Sequence, residues 1–491
     1  MLDNMNDVIS RRQLLSGGAA AVASMALGQG CNIRERTSTT YDIAIIGSGF
    51  AGLPVAFKTT EAGLSTVVIE AGKKLSSTFD YRTSGSFNYP IAAARRIELG
   101  GTSARWGGVV GRMWPYNFTI RSTHGHSADW PIRYEDLDPY YCESEKFLCV
   151  RGAPYRPNAE PPRICDYPKS TKGKSVDLDL TVDGRKMEFF TKAVSSCGKG
   201  PLRLADGEIK RFSELPHGTL LEGLRATRLV TLDGKSISHI TVRKSNGEES
   251  SITAKRFVVA AGVIESPRLL LMSQSHWFPY GFGNHGSSLG RYFCYHPHYA
   301  GLFRPEITSL SNTRGLRSHS LDTLAHAQSL NACNVQLDDA VLLKISKEPG
   351  LVAVRLSPDL TSSKDNLIFL NSGQRDAMGY AVPELHIEQT DVDRRTLAYA
   401  KRASDQIASK LGGDAIRWVG QGLHSHPSGT CRMSSDADSG VVDHNCRVFG
   451  MENLYVSGAT VFPTAGATNP TNTIVALALR LGEHLTRQST A

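Results

Sequence analysis

Two short stretches hold the residue types that can do chemistry. The first is Gly47-Ser48-Gly49-Phe50-Ala51-Gly52. Glycines at this spacing suit a turn that brings backbone against a pyrophosphate. Gly47 permits the tight turn, Gly49 leaves room for the phosphates, and Gly52 lets a helix pack on a strand. The turn follows the apolar run Tyr41-Asp42-Ile43-Ala44-Ile45-Ile46 and opens a helical stretch at 52–62. Free N–H groups and the positive end of the helix dipole would then face the anion. Glu70 closes a second apolar run at 65–70, placed to accept hydrogen bonds from ribose hydroxyls. These residues point to a dinucleotide and do not separate FAD from NAD. The second stretch is Ser425-His426-Pro427-Ser428-Gly429-Thr430. A neutral imidazole, with an unperturbed pKa of about 6.5, can take a proton near neutral pH. Taken alone, such a histidine is more often a packed structural one. His424, two residues earlier, would share a face with His426 if the segment were extended.

The elements that must position these groups read as α/β. Residues 41–70 form a βαβ unit with buried parallel strands. Residues 225–260 hold three short strands with turns at Asp233-Gly234 and Asn246-Gly247, and Phe257–Gly262 is a further buried strand before a turn. Strand patterns recur at 339–357, 366–370 and 384–388, and an amphipathic helix is expected over 391–411. The Pro- and Tyr-rich stretch at 114–168 reads as irregular. The run Ile474-Val475-Ala476-Leu477-Ala478-Leu479 reads as a buried helix, with Asn469-Pro470 as a good N-cap and first helical residue.

The 491 residues suit two or three domains, and 40% hydrophobic with 21% charged residues is ordinary globular composition. No apolar run reaches about 18 residues, so no integral membrane span is read. The net charge of +8 comes from scattered basic residues, with no basic arm or helix, so nucleic acid is not an expected partner. Nine cysteines show no CxxC pair, and no metal site is indicated. Outside the cytoplasm some would pair, in an order the sequence does not give.

Beyond the glycine turn, Leu99-Gly100-Gly101-Thr102-Ser103-Ala104-Arg105-Trp106-Gly107-Gly108 resembles the flavin-edge motif of the glucose–methanol–choline (GMC) oxidoreductases. Asp129-Trp130-Pro131, Asp138-Pro139-Tyr140-Tyr141, the stretch Gly262-Val263-Ile264-Glu265-Ser266-Pro267-Arg268, Leu289-Gly290-Arg291, His296-Pro297, His426-Pro427-Ser428-Gly429-Thr430, Phe462-Pro463-Thr464 and Asn469-Pro470-Thr471 follow in the family's order. The resemblance runs from about residue 41 to 490. It implies FAD, a Rossmann-like FAD-binding domain from 41–150, 211–297 and 420–491, and a substrate domain on an antiparallel sheet from 151–210 and 298–419. Cofactor contacts are implied for Gly47, Ser48, Gly49, Phe50, Ala51, Gly52, Glu70 and Ala71. Others are implied for Gly101, Thr102, Ser103, Trp106, Gly107, Ala261, Gly262, Gly458, Ala459, Pro470 and Thr471. Some members link the flavin covalently through a histidine at the position of Arg105, so non-covalent FAD is expected here. Trp106 stands where many members have Asn, and its indole N–H can either hydrogen-bond or pack. Ser457 stands near Gly458, where many members have an acidic residue.

The resemblance further implies that His426 takes the proton of an alcohol or sugar hydroxyl, that Asn469 hydrogen-bonds the developing alkoxide, and that the hydride goes to flavin N5. The alternatives are a non-redox lyase of the same fold or an inactive subunit. A dehydrogenase passing electrons to a protein or quinone is expected over an oxidase. The motifs name no substrate.

Ser10-Arg11-Arg12-Gln13-Leu14-Leu15 before a mild apolar core at 14–27 matches a twin-arginine export signal, to be excluded from the fold, with 32–40 as linker. Export to the periplasm is expected, with Cys31 an alternative site for a lipid anchor.

Overall fold

The computed structural model describes residues 40–73, 82–85, 96–157, 159–172, 180–198, 200–303, 315–337, 351–411, 417–418 and 424–490. The export signal, the linker up to 39 and Cys31 lie outside these residues. So does the first part of the strand pattern at 339–357.

Strands β1 (Tyr41–Ile46) and β2 (Thr66–Glu70) are joined by α1 (Leu53–Glu61), whose first turn accommodates Pro54 because its N–H groups need no intrahelical acceptor. Ile43 to Ile46 and all of β2 are buried, as strands covered on both faces must be. Then come β3 (Gly218–Glu222), β4 (Leu224–Thr231), β5 (Ile237–Lys244) and β6 (Glu249–Val259). In space the order is β3-β2-β1-β6-β5-β4. The long β6 changes partner midway. Ser251 faces Thr241 of β5 in an antiparallel ladder, while Val258 lies beside Ile45 of β1 in a parallel one. The short strand Leu454–Val456 adds to β6 in parallel. The two hairpin turns fall where the sequence places them, with Gly234 and Gly247 at positive φ.

After β6 the chain enters α2 (Gly262–Met272) and then β7 (Cys294–Pro297), β8 (Tyr299–Phe303), β9 (Leu316–Ser318), β10 (Cys333–Leu337) and β11 (Val352–Pro358). A second sheet runs Arg417–Trp418, β8, β11, β10, β9, Phe190–Thr191, and every pairing in it is antiparallel. Helix α3 (Asp391–Lys410) covers one face with Tyr399, Ala400, Ala403 and Ile407 against Val335, Val354 and Leu356. Its start is fixed by a reciprocal cap: Asp393 N–H donates to Thr390 Oγ1 at 3.1 Å, and Thr390 N–H to Asp393 Oδ2 at 2.9 Å. Strand β12 (His424–Ser428) pairs with β7, and α4 (Thr471–Thr490) closes the described chain.

The stretch read as irregular contains a helix, Asp138–Phe147. Its tyrosines and glutamates give a weak apolar period, so the sequence hides it. Tertiary partners decide: buried Arg112 reaches Asp138 at 2.5 Å and Glu145 at 2.8 Å, and Arg163 reaches Glu145 at 2.6 Å. Tyr141 and Ser144 bond Thr473 and Asn472 at the start of α4. Two disulfides, Cys142–Cys165 and Cys149–Cys197, tie this helix and its exit. Cys294, Cys333, Cys431 and Cys446 are buried thiols, and burial pushes those of Cys294, Cys431 and Cys446 up to about 12, which leaves them unreactive. No helix of the described residues is long and apolar enough to cross a membrane.

Candidate active site

The carboxyl ends of β1, β2 and β6 open on a cavity of about 760 Å³, where ligands of open α/β sheets bind. All the cofactor positions named above line it except Gly52. The three motif glycines differ in why they are glycine. A Cβ on Gly52 would stand 2.0 Å from Gly47 O, and one on Gly47 would stand 2.6 Å from Ala260 O, so both are demanded by packing. A Cβ on Gly49 would meet nothing nearer than Gly100 O at 3.8 Å. The fold does not require glycine at 49. It leaves an open cradle beside the first turn of α1, which a pyrophosphate fits.

Glu70 has a task the sequence did not show. Its Oε2 accepts from Ser48 N–H at 3.0 Å and Ser48 Oγ–H at 2.6 Å, and its Oε1 accepts from Gly72 N–H at 2.8 Å. Ser48 Oγ in turn accepts from Gly100 N–H at 2.9 Å. The carboxylate thus staples the glycine turn to the end of β2 and to the loop at 100. Burial raises its pKa in spite of these donors. Trp106 Nε1–H donates to Leu202 O at 2.7 Å and its ring packs edge-on to Phe50, so the indole serves the wall of the cavity. Ser457 donates to Ala51 O at 2.7 Å and does not take the place of an acidic cofactor ligand.

His426 lines the same cavity. The β7–β12 pairing slips there: Cys294 faces Ser428, but His296 faces Ser425. The extra residue makes a bulge, and His426 sits in it at φ 62°, a left-handed conformation that costs a non-glycine residue about 1–2 kcal/mol. The side chain of His424, expected to share a face with His426, lies outside the described residues. His426 Nε2 is 3.3 Å from Asn469 Nδ2, and its Nδ1 is 2.9 Å from His296 Nδ1. Burial, then His296, His298, Arg355 and Arg317, hold its pKa well below the ordinary imidazole value, so it is neutral near pH 7. Asn469 does not serve as a helix cap. Its Oδ1 accepts from the guanidinium of Arg317 at 2.9 Å. Pro470, Thr471 and Ile474, at the start of α4, also face the cavity, and the helix dipole there favours negative charge.

Sequence reasoning missed Arg317, Arg355 and His298 as neighbours of the base, and read His296 only as part of a motif. Arg317 is fully buried on β9, and burial draws its guanidinium down to about 10. A single arginine in a patternless segment gives no sequence signal. His296-Pro297-His298 did offer one: two histidines at strand spacing.

A nucleotide cradle opening onto a buried neutral histidine defines a redox enzyme that carries its cofactor at the edge of an open sheet. Comparison makes this particular. A family model for GMC oxidoreductases matches residues 362–478, and one for an FAD-binding domain matches 42–103. The chain is similar to the fructose dehydrogenase large subunit of Gluconobacter japonicus, 24% identical over 90% of this chain and 97% of that one. It is also similar to the 2-methyl-1,2-propanediol dehydrogenase of Mycolicibacterium austroafricanum, 24% identical over 91% and 95%. The solved structure of pyridoxine 4-oxidase from Mesorbium loti matches with TM-score 0.63 at 19% identity, covering 91% of this chain and 99% of that one. The chain thus carries a GMC oxidoreductase domain toward its C-terminus and an FAD-binding domain toward its N-terminus, and it is an FAD-dependent oxidoreductase.

Proposed function

We propose that the protein oxidises a CH–OH group of an alcohol or sugar, with His426 as general base. The observation that carries this reading is the 3.3 Å approach of His426 Nε2 to Asn469 Nδ2 at the wall of the FAD cavity. An oxygen seated between them would give its proton to Nε2 and receive a hydrogen bond from Nδ2 as negative charge develops. FAD, when bound, supplies the hydride acceptor. The cradle at 47–52 and the start of α4 would hold it, and Arg317 keeps the amide of Asn469 turned toward the base. The similar proteins carry the names of alcohol and sugar oxidoreductases, which supports this substrate class. Dehydrogenases and oxidases both stand among the similar proteins, and the reading proposed is a dehydrogenase that passes electrons to a protein or quinone. A panel of sugars and alcohols should reduce an artificial acceptor at least tenfold faster than it yields peroxide in air. Peroxide formed in step with substrate loss would make the protein an oxidase.

The protein is further proposed to work outside the cytoplasm. Two disulfides in a chain of this size suit an oxidising compartment, and Arg11-Arg12 would be its address. Arg11→Lys with Arg12→Lys should leave active, FAD-loaded protein in the cytoplasm, measured by fractionation. Undiminished export of the double variant would remove the proposal.

A further inference from the structure

Arginine only donates hydrogen bonds, and this fixes the direction of a chain of contacts behind the base. Because Arg317 donates to Asn469 Oδ1 at 2.9 Å, the other side of that amide is the Nδ2 donor, 3.3 Å from His426 Nε2. In neutral His426, Nε2 is then the accepting nitrogen and the proton sits on Nδ1. Nδ1 lies 2.9 Å from His296 Nδ1, which must accept. His296 in turn carries its proton on Nε2, which faces Asp359 Oδ1 at 3.6 Å, beyond hydrogen-bonding distance. Each of the three hydrogen-bonded links, Arg317 to Asn469, Asn469 to His426 and His426 to His296, has one donor and one acceptor. A donor-only group stands at one end and a carboxylate at the other. Reversing any link would oppose two donors or two acceptors.

We propose that His296 is the positioning residue of His426. By accepting the Nδ1 proton it holds the base in the tautomer whose Nε2 lone pair faces Asn469 and the cavity. This rests on the reading of His426 as base. Without an acceptor at Nδ1, the buried N–H there loses its partner and only the Asn469 donor still favours this tautomer, so the form protonated on Nε2, which cannot take a proton from substrate, gains population. His298 does not substitute. Its ring centre is 5.9 Å from that of His426, and its nitrogens contact Ser357 Oγ at 2.8 Å and Ser425 Oγ at 2.6 Å. The charged or titratable groups around His426 are thus His296 from β7, His298, Arg317 from β9 and Arg355 from β11. Around His296 they are His426 and Asp359. In the proton transfer the substrate O–H bond breaks, its electron pair stays on oxygen, and one N–H bond forms at Nε2. The Nδ1 proton stays shared with His296, so the new positive charge lies between Asn469 and Asp359.

The test uses the FAD-loaded protein with ¹⁵N-labelled histidine. Nitrogen NMR, assigned by loss of the resonances in His426→Gln, should show His426 protonated on Nδ1 and bare on Nε2. His296→Leu removes the acceptor. It should give a mixture of tautomers and lower kcat by about 10²-fold, with KM within twofold. His296→Asn, whose Oδ1 stands near the place of Nδ1, should restore the single tautomer and bring kcat to within about tenfold of the wild type. His426 protonated on Nε2 in the wild type, or an unchanged tautomer and kcat in His296→Leu, would overturn the proposal. If His296→Leu does not fold, the wild-type tautomer and the Asn variant decide. His426→Ala run alongside separates the two claims. Near-normal flavin reduction in that variant would remove His426 as base, while the NMR result would still stand or fall alone.

Discussion

His426→Ala is expected to keep its FAD and to lose about 10²- to 10⁴-fold in the rate of flavin reduction by substrate, the usual worth of a positioned base. The side chain borders the cavity but is no part of the glycine cradle, so cofactor affinity should hardly move. Stopped-flow bleaching of the flavin measures the loss directly. A rate near that of the wild type would make His426 structural. The pH profile gives a second reading of the same residue. Because its folded pKa lies below the ordinary 6.5, His426 remains a neutral base below that pH, and kcat/KM should fall only as pH drops through the lowered value. The stability sign follows. Between 6.5 and the lowered pKa the unfolded chain binds a proton that the folded chain refuses, so this histidine costs stability as pH falls across that window.

Gly49→Trp is expected to abolish FAD binding. Nothing of the chain itself stands within 3.8 Å of a Cβ at 49, so the new side chain fits the protein by filling the cradle. Acid precipitation of the purified wild type should release its flavin to the supernatant, and the same treatment of the variant should release less than a tenth as much. Gly52→Ala makes the contrast. Its Cβ would stand 2.0 Å from Gly47 O, and the variant should lose thermal stability before it loses any cofactor contact. Normal flavin content in Gly49→Trp would mean that the pyrophosphate lies elsewhere.

The nucleotide half of the site was legible because its constraints are local. A tight turn, a close approach and a helix start leave glycines at fixed spacing, and Glu70 follows one strand later. His426 and Asn469 were legible only through a family pattern, since nothing local marks an imidazole as a base. What surrounds them was not legible. The link from Arg317 to Asn469 joins residues 152 positions apart, and the bulge that aims His426 is a property of two strands, not of one. Helix Asp138–Phe147 escaped notice because its stability comes from Arg112, Arg163 and α4, which a local window does not contain. The disulfide order was hidden for the same reason.

The two bridges also set a schedule. Cys142–Cys165 and Cys149–Cys197 would stay open in the reducing compartment where FAD is inserted. If the chain crosses a membrane already folded, it must reach its native packing around Arg112 and Glu145 with four free thiols. Oxidation would then come as the last act of maturation, after the cofactor is enclosed. On the loop-entropy model the 48-residue bridge adds about 4 kcal/mol. A protein exported in this way would be pliable while its cofactor can still be loaded, and would harden only once it had arrived where no replacement can be supplied.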